Sequence, residues 1–305
     1  MAARQLRWFM LCELLFWGGL GTWLVASRGW TPGQAVLLGL AAVLGLRLVI
    51  VLSTFGLAAA WGGKAPPDHR PGALGMVGMI LAEYFCFLLL FVVVQPFERL
   101  WMGNDRLGHC GARRLPLLLV HGYQCNRGTW LWMRARLEAA GWTVATLNLE
   151  PVYGSIDDYA DRIERRVAEV LEATGAPQLV LVAHSMGGLA CRAYLRRHGS
   201  EKVAQLVTLG SPHGGTLLAP LGFGRNAFQM RIGGDWLRDL ASGDRLPEQS
   251  VSILSYQDNY VFPPAQASRL DGARLVELGG VSHLAMVVSP TILRVLREVL
   301  EGEGG

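Results

Sequence analysis

One stretch in the middle of the chain, Leu179 to Gly188, restricts the possible folds more than any other. It begins with a short apolar run that has the length and aliphatic content of a buried β-strand. The run ends abruptly at Ser185, and a helical pattern follows from Leu189 to His198. A serine on so sharp a strand-to-helix turn is strained, and its hydroxyl projects above the sheet. The turn needs small residues two positions before and after the serine, and Ala183 and Gly187 stand there.

Strands and helices alternate around this stretch. Helical patterns include Thr129 to Ala140, a long amphipathic segment that Ser155 caps, and Thr291 to Leu300. The alternation predicts an α/β class, with a mostly parallel sheet of about six strands covered by helices on both faces. The other predicted strands are Leu115–Val120, Thr143–Leu149, Val203–Leu209, Val251–Tyr256 and Arg274–Leu278.

The N-terminal part of the chain differs from the rest in its hydrophobic composition. Hydrophobic residues make up 51% of the 305 residues and charged residues only 17%, which is not typical of a soluble protein. The excess lies in Leu6–Ala26, Gln34–Trp61 and Ala73–Val94, each long enough to cross a hydrocarbon core of about 30 Å as a helix. A removed signal peptide is a poorer interpretation of the first stretch, since it is too long and two more follow. Three buried helices of a soluble protein are the alternative.

These patterns predict three regions. Residues 1–95 form a membrane region with three transmembrane helices, and residues 96–114 form a linker. Residues 115–305 form an α/β domain, in which residues 216–246 are a lid or cap insertion between two strands, called here the cap segment.

Each predicted span carries one ionisable residue, namely Glu13, Arg47 and Glu83. Such residues are costly in lipid and normally face a partner or a water-filled cavity. One hypothesis is that Arg47 bridges both carboxylates inside a three-helix bundle. The alternative is that one or both carboxyl groups are protonated or reach the interface.

Basic residues near the spans favour a cytoplasmic N-terminus, because Arg4 and Arg7 precede the first span. Three crossings then place the α/β domain on the opposite, exported side, for a bacterial protein the periplasmic side of the inner membrane. The arginines that follow the third span closely argue against this orientation. They are Arg99, Arg106, Arg113 and Arg114.

Several partner classes find no support. The net charge of +4 is small and dispersed, so nucleic acid is not an expected partner. Neither a metal-ligand cluster nor a phosphate loop or dinucleotide fingerprint occurs, so no metal or cofactor is expected. Cys110 and Cys125 could pair in an oxidising compartment, a choice that the sequence leaves open along with the oligomeric state.

The serine hydroxyl needs a base, and the base needs an acid that fixes its tautomer. In this architecture the order along the chain is serine, acid, histidine, each just beyond the end of a strand. Asp258 and His283 stand at those places and are the predicted acid and base, with Asp271 or Glu277 as reserve acids.

An oxyanion in acyl transfer needs two backbone N–H donors that are fixed before the reaction. The amide of Met186, at the start of the helix after the serine, is one predicted donor. The second is the amide of Tyr123, in the loop after the first strand, where Gly122 lets the backbone turn toward the serine. His121 is expected to support this loop instead of transferring protons.

Three motifs in order resemble the α/β-hydrolase fold, and within it the bacterial triacylglycerol lipase and esterase group. They are Val120-His121-Gly122, Ala183 to Gly188 and Gly210 to Thr216. The resemblance covers Leu115 to Leu300 and excludes the membrane region. Ala183 departs from the usual glycine, and the approach segment is too short for the fold's first two strands.

The resemblance implies a serine hydrolase that cleaves carboxylic esters through an acyl-enzyme, and the three predicted spans would anchor it in a membrane. The cap segment is unusually apolar, which favours lipids or lipophilic esters as substrates. Alternatively, it packs as ordinary helix over the sheet. Two rival functions are an acyltransferase with the same triad and a non-catalytic membrane scaffold with a vestigial hydrolase fold.

Overall fold

A computed structural model describes residues 1–108 and 114–302 of the chain. Its sheet has six parallel strands in the order β2-β1-β3-β4-β5-β6, which confirms the predicted sheet. The strands are β1 (Leu117–Val120), β2 (Val144–Thr146), β3 (Leu179–His184), β4 (Val203–Leu209), β5 (Val251–Ser255) and β6 (Arg274–Leu278).

The helices fall into two groups, before and after β1. The first group is α1 (Ala2–Arg28), α2 (Pro32–Trp61), α3 (Ala73–Leu88) and the short α4 (Glu98–Met102). The second group is α5 (Leu131–Ala139), α6 (Ile156–Thr174), α7 (Met186–His198), α8 (Gly224–Gln229), α9 (Asp235–Ser242), α10 (Pro264–Ala267) and α11 (Pro290–Glu301).

The strand order places Ser185 at a point where the chain changes direction across the sheet. Strand β1 lies between β2 and β3, so the chain leaves β1 first to one side and later returns to the other. Crevices form at the carboxyl ends of strands at such a switch point. Val120, the last residue of β1, pairs with Ala183 near the end of β3, so the loop after β1 starts beside the serine turn.

Helices α1, α2 and the segment Ala73–Met102 are long and apolar enough to cross a membrane. Within this region Arg47 pairs with Glu13, at 2.7 Å between Nη1 and Oε1, and Arg47 is only 5% exposed. Glu83 instead accepts hydrogen bonds from backbone amides of the α/β domain. The prediction that Arg47 bridges both carboxylates is therefore wrong for Glu83, because the face of α3 that carries Glu83 is turned toward the domain.

Helix α3 packs against the α/β domain along one face. Met79, Glu83 and Cys86 are buried on this face, and Leu90 continues it beyond the end of α3. Cys86 and Leu90 belong to the apolar core that also contains Leu117 of β1. The opposite face of the helix is exposed and apolar, at Leu74, Val77, Leu81 and Phe85.

Helix α1 also begins beside the α/β domain. The Met1 ammonium group contacts the Glu150 carboxylate after β2. Arg7 Nη1 donates to the Pro96 carbonyl at 2.7 Å. The start of α1 therefore lies next to the α/β domain.

Candidate active site

The turn between β3 and α7 holds Ser185 in a conformation that L-residues rarely adopt. Its φ is 56° and its ψ is −131°. Such strain persists only where the surrounding structure fixes it, and it is typical of functional sites. A Cβ atom on Gly187 would lie 2.5 Å from the Val120 carbonyl oxygen, so the residue two after the serine must be glycine for the turn to close. Ala183 is fully buried in β3, where its methyl group is accommodated in the core.

The predicted acid and base are bonded to each other. Asp258 Oδ2 lies 2.7 Å from His283 Nδ1, and both side chains are nearly buried. The other carboxylate oxygen of Asp258 accepts from the amides of Tyr260, at 2.8 Å, and Val261, at 2.7 Å. Because a carboxylate can only accept, Nδ1 of His283 carries the proton and Nε2 is left as the basic nitrogen.

His283 lies next to the serine turn. Its ring centroid is 4.5 Å from the ring of His184, the residue before Ser185. His184 Nε2 lies 3.1 Å from the carbonyl oxygen of His283 and donates to it. Among the described residues Ser185 makes no hydrogen bond to the imidazole. Catalytic hydrogen bonds are often long without substrate and shorten in the reacting complex.

The surroundings set the basicity of His283. Burial by itself lowers the pKa of the imidazole, but the charge of Asp258 and its hydrogen bond raise it, and the charge of Glu83 raises it further. The pKa of His283 consequently lies above the usual 6.5. The negative charge of Asp258 stabilises the imidazolium that forms when His283 accepts a proton, and the imidazolium can give that proton to a leaving group.

Two backbone amides beside Ser185 are free to bind an oxyanion. Among the described residues, the amides of Tyr123 and Met186 donate to no other protein atom. Gly122 brings the first of them close, since a Cβ atom there would lie 2.8 Å from Ser185 Cβ. Side chains at this position would push the loop away from the serine, which explains the glycine.

His121 uses both ring nitrogens to hold that loop. Nδ1 lies 2.9 Å from the Gly122 carbonyl oxygen, and Nε2 accepts from the Leu149 amide at 3.0 Å. Burial lowers the pKa of His121 to about 4, so the ring is neutral at neutral pH. This arrangement supports the expectation that His121 has a structural role.

The cap segment has one face packed into the core and another exposed to solvent. Its inner face, with Met230, Leu237 and Leu240, packs into the main core. Its outer face keeps Leu221, at 67%, and Phe223, at 73%, exposed to solvent. Tyr123 ties the cap to the serine loop, because its hydroxyl accepts from Phe223 N at 2.8 Å and donates to Phe223 O at 2.7 Å.

Two residues near the site were not predicted. Asn259 follows Asp258, and its Oδ1 accepts from the His283 amide at 3.1 Å. The second residue is His184, whose contact with His283 the sequence did not predict. Neither contact leaves a periodic signal in the sequence, since each joins residues from distant loops. The reserve acid Asp271 has a fully exposed side chain, while His109 and Cys110 lie outside the described residues.

The described residues gather no group of three or more His, Cys, Asp or Glu side chains that could hold a metal ion. The site combines a strained serine, a buried Asp–His pair and two free amides. These groups lie at the carboxyl edge of a six-stranded parallel sheet, which is the arrangement of an α/β-hydrolase.

Comparisons with known proteins agree. Residues 115–242 match the family model described as the alpha/beta hydrolase fold, and this part of the chain has that fold. The chain is 35% identical over 120 residues to a triacylglycerol lipase of Pseudarthrobacter phenanthrenivorans, covering 35% of this chain and 36% of that protein. It is also 35% identical over 120 residues to a triacylglycerol lipase of Burkholderia plantarii, covering 35% of this chain and 32% of that protein. The chain thus spans about a third of the length of these relatives.

A solved structure shares the fold over a larger part of the chain. The mature lipase BlEst2 of Bacillus licheniformis superposes with a TM-score of 0.58 at 18% identity, over 65% of this chain and 96% of that one. The phospholipase PlaB of Legionella pneumophila superposes with a TM-score of 0.50 at 14% identity, over 62% of this chain and 60% of that one. At these identities the likeness concerns the fold alone.

Proposed function

We propose that this protein is a membrane-attached serine hydrolase that cleaves carboxylic esters of lipids or lipophilic acyl esters through an acyl-enzyme. The observation that carries the proposal is the buried Asp258–His283 pair beside a serine whose φ is 56°. The similarity to triacylglycerol lipases and the exposed apolar face of the cap segment support a lipid substrate.

In the proposed mechanism His283 Nε2 removes the proton of Ser185 as the serine oxygen attacks the ester carbonyl carbon. Asp258 keeps the imidazole in the required tautomer and stabilises the imidazolium that forms. The amides of Tyr123 and Met186 bind the oxyanion, and such donors together lower the barrier by several kcal/mol. His283 then gives the proton to the leaving alcohol. Water attacks the acyl-enzyme with His283 again as the base, and Ser185 is released.

Labelling with a fluorophosphonate tests the proposal directly, since the probe phosphonylates an activated serine. Full-length protein in detergent is expected to be labelled and to hydrolyse p-nitrophenyl butyrate. The Ser185→Ala variant is expected to lose both properties, and His283→Ala to lose nearly all of both. Labelling that persists in Ser185→Ala would place the reactive group elsewhere. A folded wild-type protein that shows neither property would favour a non-catalytic scaffold.

We place the α/β-hydrolase domain on the cytoplasmic side. The contacts of Met1 with Glu150 and of Arg7 with Pro96 support an arrangement in which the N-terminus and the domain share one side. Helices α1 and α2 then cross as a pair, and α3 lies along the domain with its exposed apolar face toward lipid.

The distribution of basic residues fits this arrangement. The loop between α2 and α3 also lies at the domain, because the His69 carbonyl accepts from Gln257 Nε2 at 2.9 Å. Lys64 and Arg70 therefore join the N-terminal side, and Arg28 alone is left on the other side. Cytoplasmic segments next to membrane spans carry the excess of basic residues. A membrane-impermeant fluorophosphonate should label lysates but not intact spheroplasts, and equal labelling of both would restore the exported orientation.

A further inference from the structure

The segment that follows His283 is held by a residue of the membrane region. Glu83 of α3 is completely buried. The Leu284 amide donates to both of its carboxylate oxygens, at 3.1 and 3.0 Å, and the Ala285 amide donates to Oε2 at 3.1 Å. Leu284 is the next residue after His283, so these bonds fix the backbone immediately behind the imidazole.

A second membrane helix reaches the same histidine through one intermediate. Thr54 of α2 accepts from Asn259 Nδ2 at 2.8 Å. The other end of the Asn259 amide accepts from the backbone N–H of His283 at 3.1 Å. The backbone of His283 is therefore held from one side by α2 through Asn259 and from the other by α3 through Glu83.

These contacts anchor the domain at a high cost in free energy. A buried carboxylate loses its hydration, and this loss is offset only where its oxygens accept several hydrogen bonds. An apolar residue would fill the same face of α3, whose other buried members include Met79 and Cys86. A carboxylate placed against two amides beside the general base suggests a role in the geometry and charge of that base.

We propose that Glu83 is a positioning residue for the catalytic histidine, so that the membrane region forms part of the active-site framework. This inference rests on the proposed serine hydrolase function. Glu83 holds the Leu284 and Ala285 amides, which fixes His283 within reach of Ser185, and its negative charge adds to that of Asp258 at the imidazole. In the described part of the chain, the rings of His184 and Tyr260 also face His283, with centroids at 4.5 and 5.2 Å.

The test is Glu83→Gln in the full-length protein, assayed with p-nitrophenyl butyrate in detergent. Glutamine has nearly the same shape but no charge, and only one of its terminal atoms can accept. We expect kcat to fall roughly ten- to a hundredfold with little change in KM, since small displacements of a catalytic group have effects of this order. The acid limb of the kcat/KM profile should move to lower pH, because the imidazole loses a neighbouring negative charge.

Tyr84→Phe is the matched control. It changes the next residue of α3 and removes the bond from the Tyr84 hydroxyl to the Leu44 carbonyl, at 3.1 Å, without touching the histidine. It should keep the wild-type kcat and pH profile. Active-site titration with fluorophosphonate expresses each kcat per competent serine, so a loss of folded protein alone does not imitate the expected result.

Wild-type kcat and an unmoved acid limb in Glu83→Gln would overturn the inference while leaving the hydrolase function intact. Should that variant fail to fold, Thr54→Val removes the second contact and keeps the carboxylate. It is then expected to lower kcat at constant KM, and an unchanged kcat would equally overturn the inference. An inactive and unlabelled wild-type protein would instead refute the function on which the inference rests.

Discussion

The membrane region and the α/β-hydrolase domain differ in how their buried charges find partners. In the domain, Asp258 and His283 come from loops after neighbouring strands and pair with each other. In the membrane region, Arg47 and Glu13 pair between adjacent helices, whereas Glu83 bonds to the domain. The two carboxylates of the membrane region thus have different partners: Glu13 pairs within the helices, and Glu83 accepts from the segment that follows His283.

Asp258→Asn tests whether the chemistry resides in the domain and should have the largest effect. Asparagine presents its amide or its carbonyl to His283 and no longer enforces the tautomer with a free Nε2. We expect kcat to fall by a factor on the order of 1,000 to 10,000, as when the same role is removed from a serine protease. Steady-state kinetics measures it. Asp271→Asn, at the fully exposed reserve position, should keep wild-type kcat, and the reverse result would reassign the acid.

Arg47→Leu tests whether the pair inside the membrane region is purely structural. The change leaves Glu13 without its partner, and breaking a buried ion pair costs on the order of 3 kcal/mol. We expect a lower midpoint of thermal unfolding in detergent but wild-type kcat per titrated serine. The double variant Arg47→Leu with Glu13→Leu should recover most of the midpoint. Unchanged stability in the single variant would show that the carboxyl group needs no partner.

Tyr123→Phe tests how the cap segment is attached to the domain. It removes the two hydrogen bonds to Phe223 and leaves the Tyr123 backbone amide in place. Each neutral bond contributes about 1 kcal/mol, so with both bonds lost the cap should open more often and trypsin should cleave it roughly thirtyfold faster. Tyr153→Phe is the control, because among the described residues the Tyr153 hydroxyl hydrogen-bonds only to Gln124, at 3.4 Å. Equal cleavage of both variants would mean that packing alone holds the cap.

The smallest expected effect is on the pH dependence of kcat/KM. Since the pKa of His283 is raised, kcat/KM of the wild-type protein should reach half its plateau above pH 6.5 and fall as the imidazole is protonated. The same shift stabilises the fold below the pKa of the unfolded histidine, and that contribution is lost as pH rises through the folded pKa. In Asp258→Asn burial dominates, and the acid limb should move to lower pH. A limb that stays in place would point to a different titrating group.

Residue patterns were sufficient to locate the candidate site residues of the domain, because those residues come just after the ends of strands. The strands that end at Ser255 and Leu278 place Asp258 and His283 at one edge of the sheet, and this arrangement was readable from apolar runs. The hydrogen-bond partners of Glu83 could not be predicted from the sequence. Hydropathy reports that a segment is apolar, but it does not report which face of the helix meets lipid and which meets protein.

The same limitation applies to the number of membrane crossings that the sequence predicts. Three apolar stretches imply three crossings only if each is surrounded by lipid. Helix α3 has Cys86 in the core of the domain, which no periodicity in so uniformly apolar a stretch could indicate. The contact between Met1 and Glu150 joins residues 149 positions apart and leaves no local signal at either end.

The segment before β1 and the α/β domain share one apolar core, which has a consequence for truncation of the chain. A fragment that starts at Leu115 would lose Cys86, Leu90 and Met102 from the layer that covers Leu117 and Leu119. The uncovered side of the sheet would expose apolar surface to water. The segment that carries His283 would also lose its hydrogen bonds to Glu83. We therefore expect such a fragment to be poorly soluble, and experiments on this protein are best made with residues 1–114 retained.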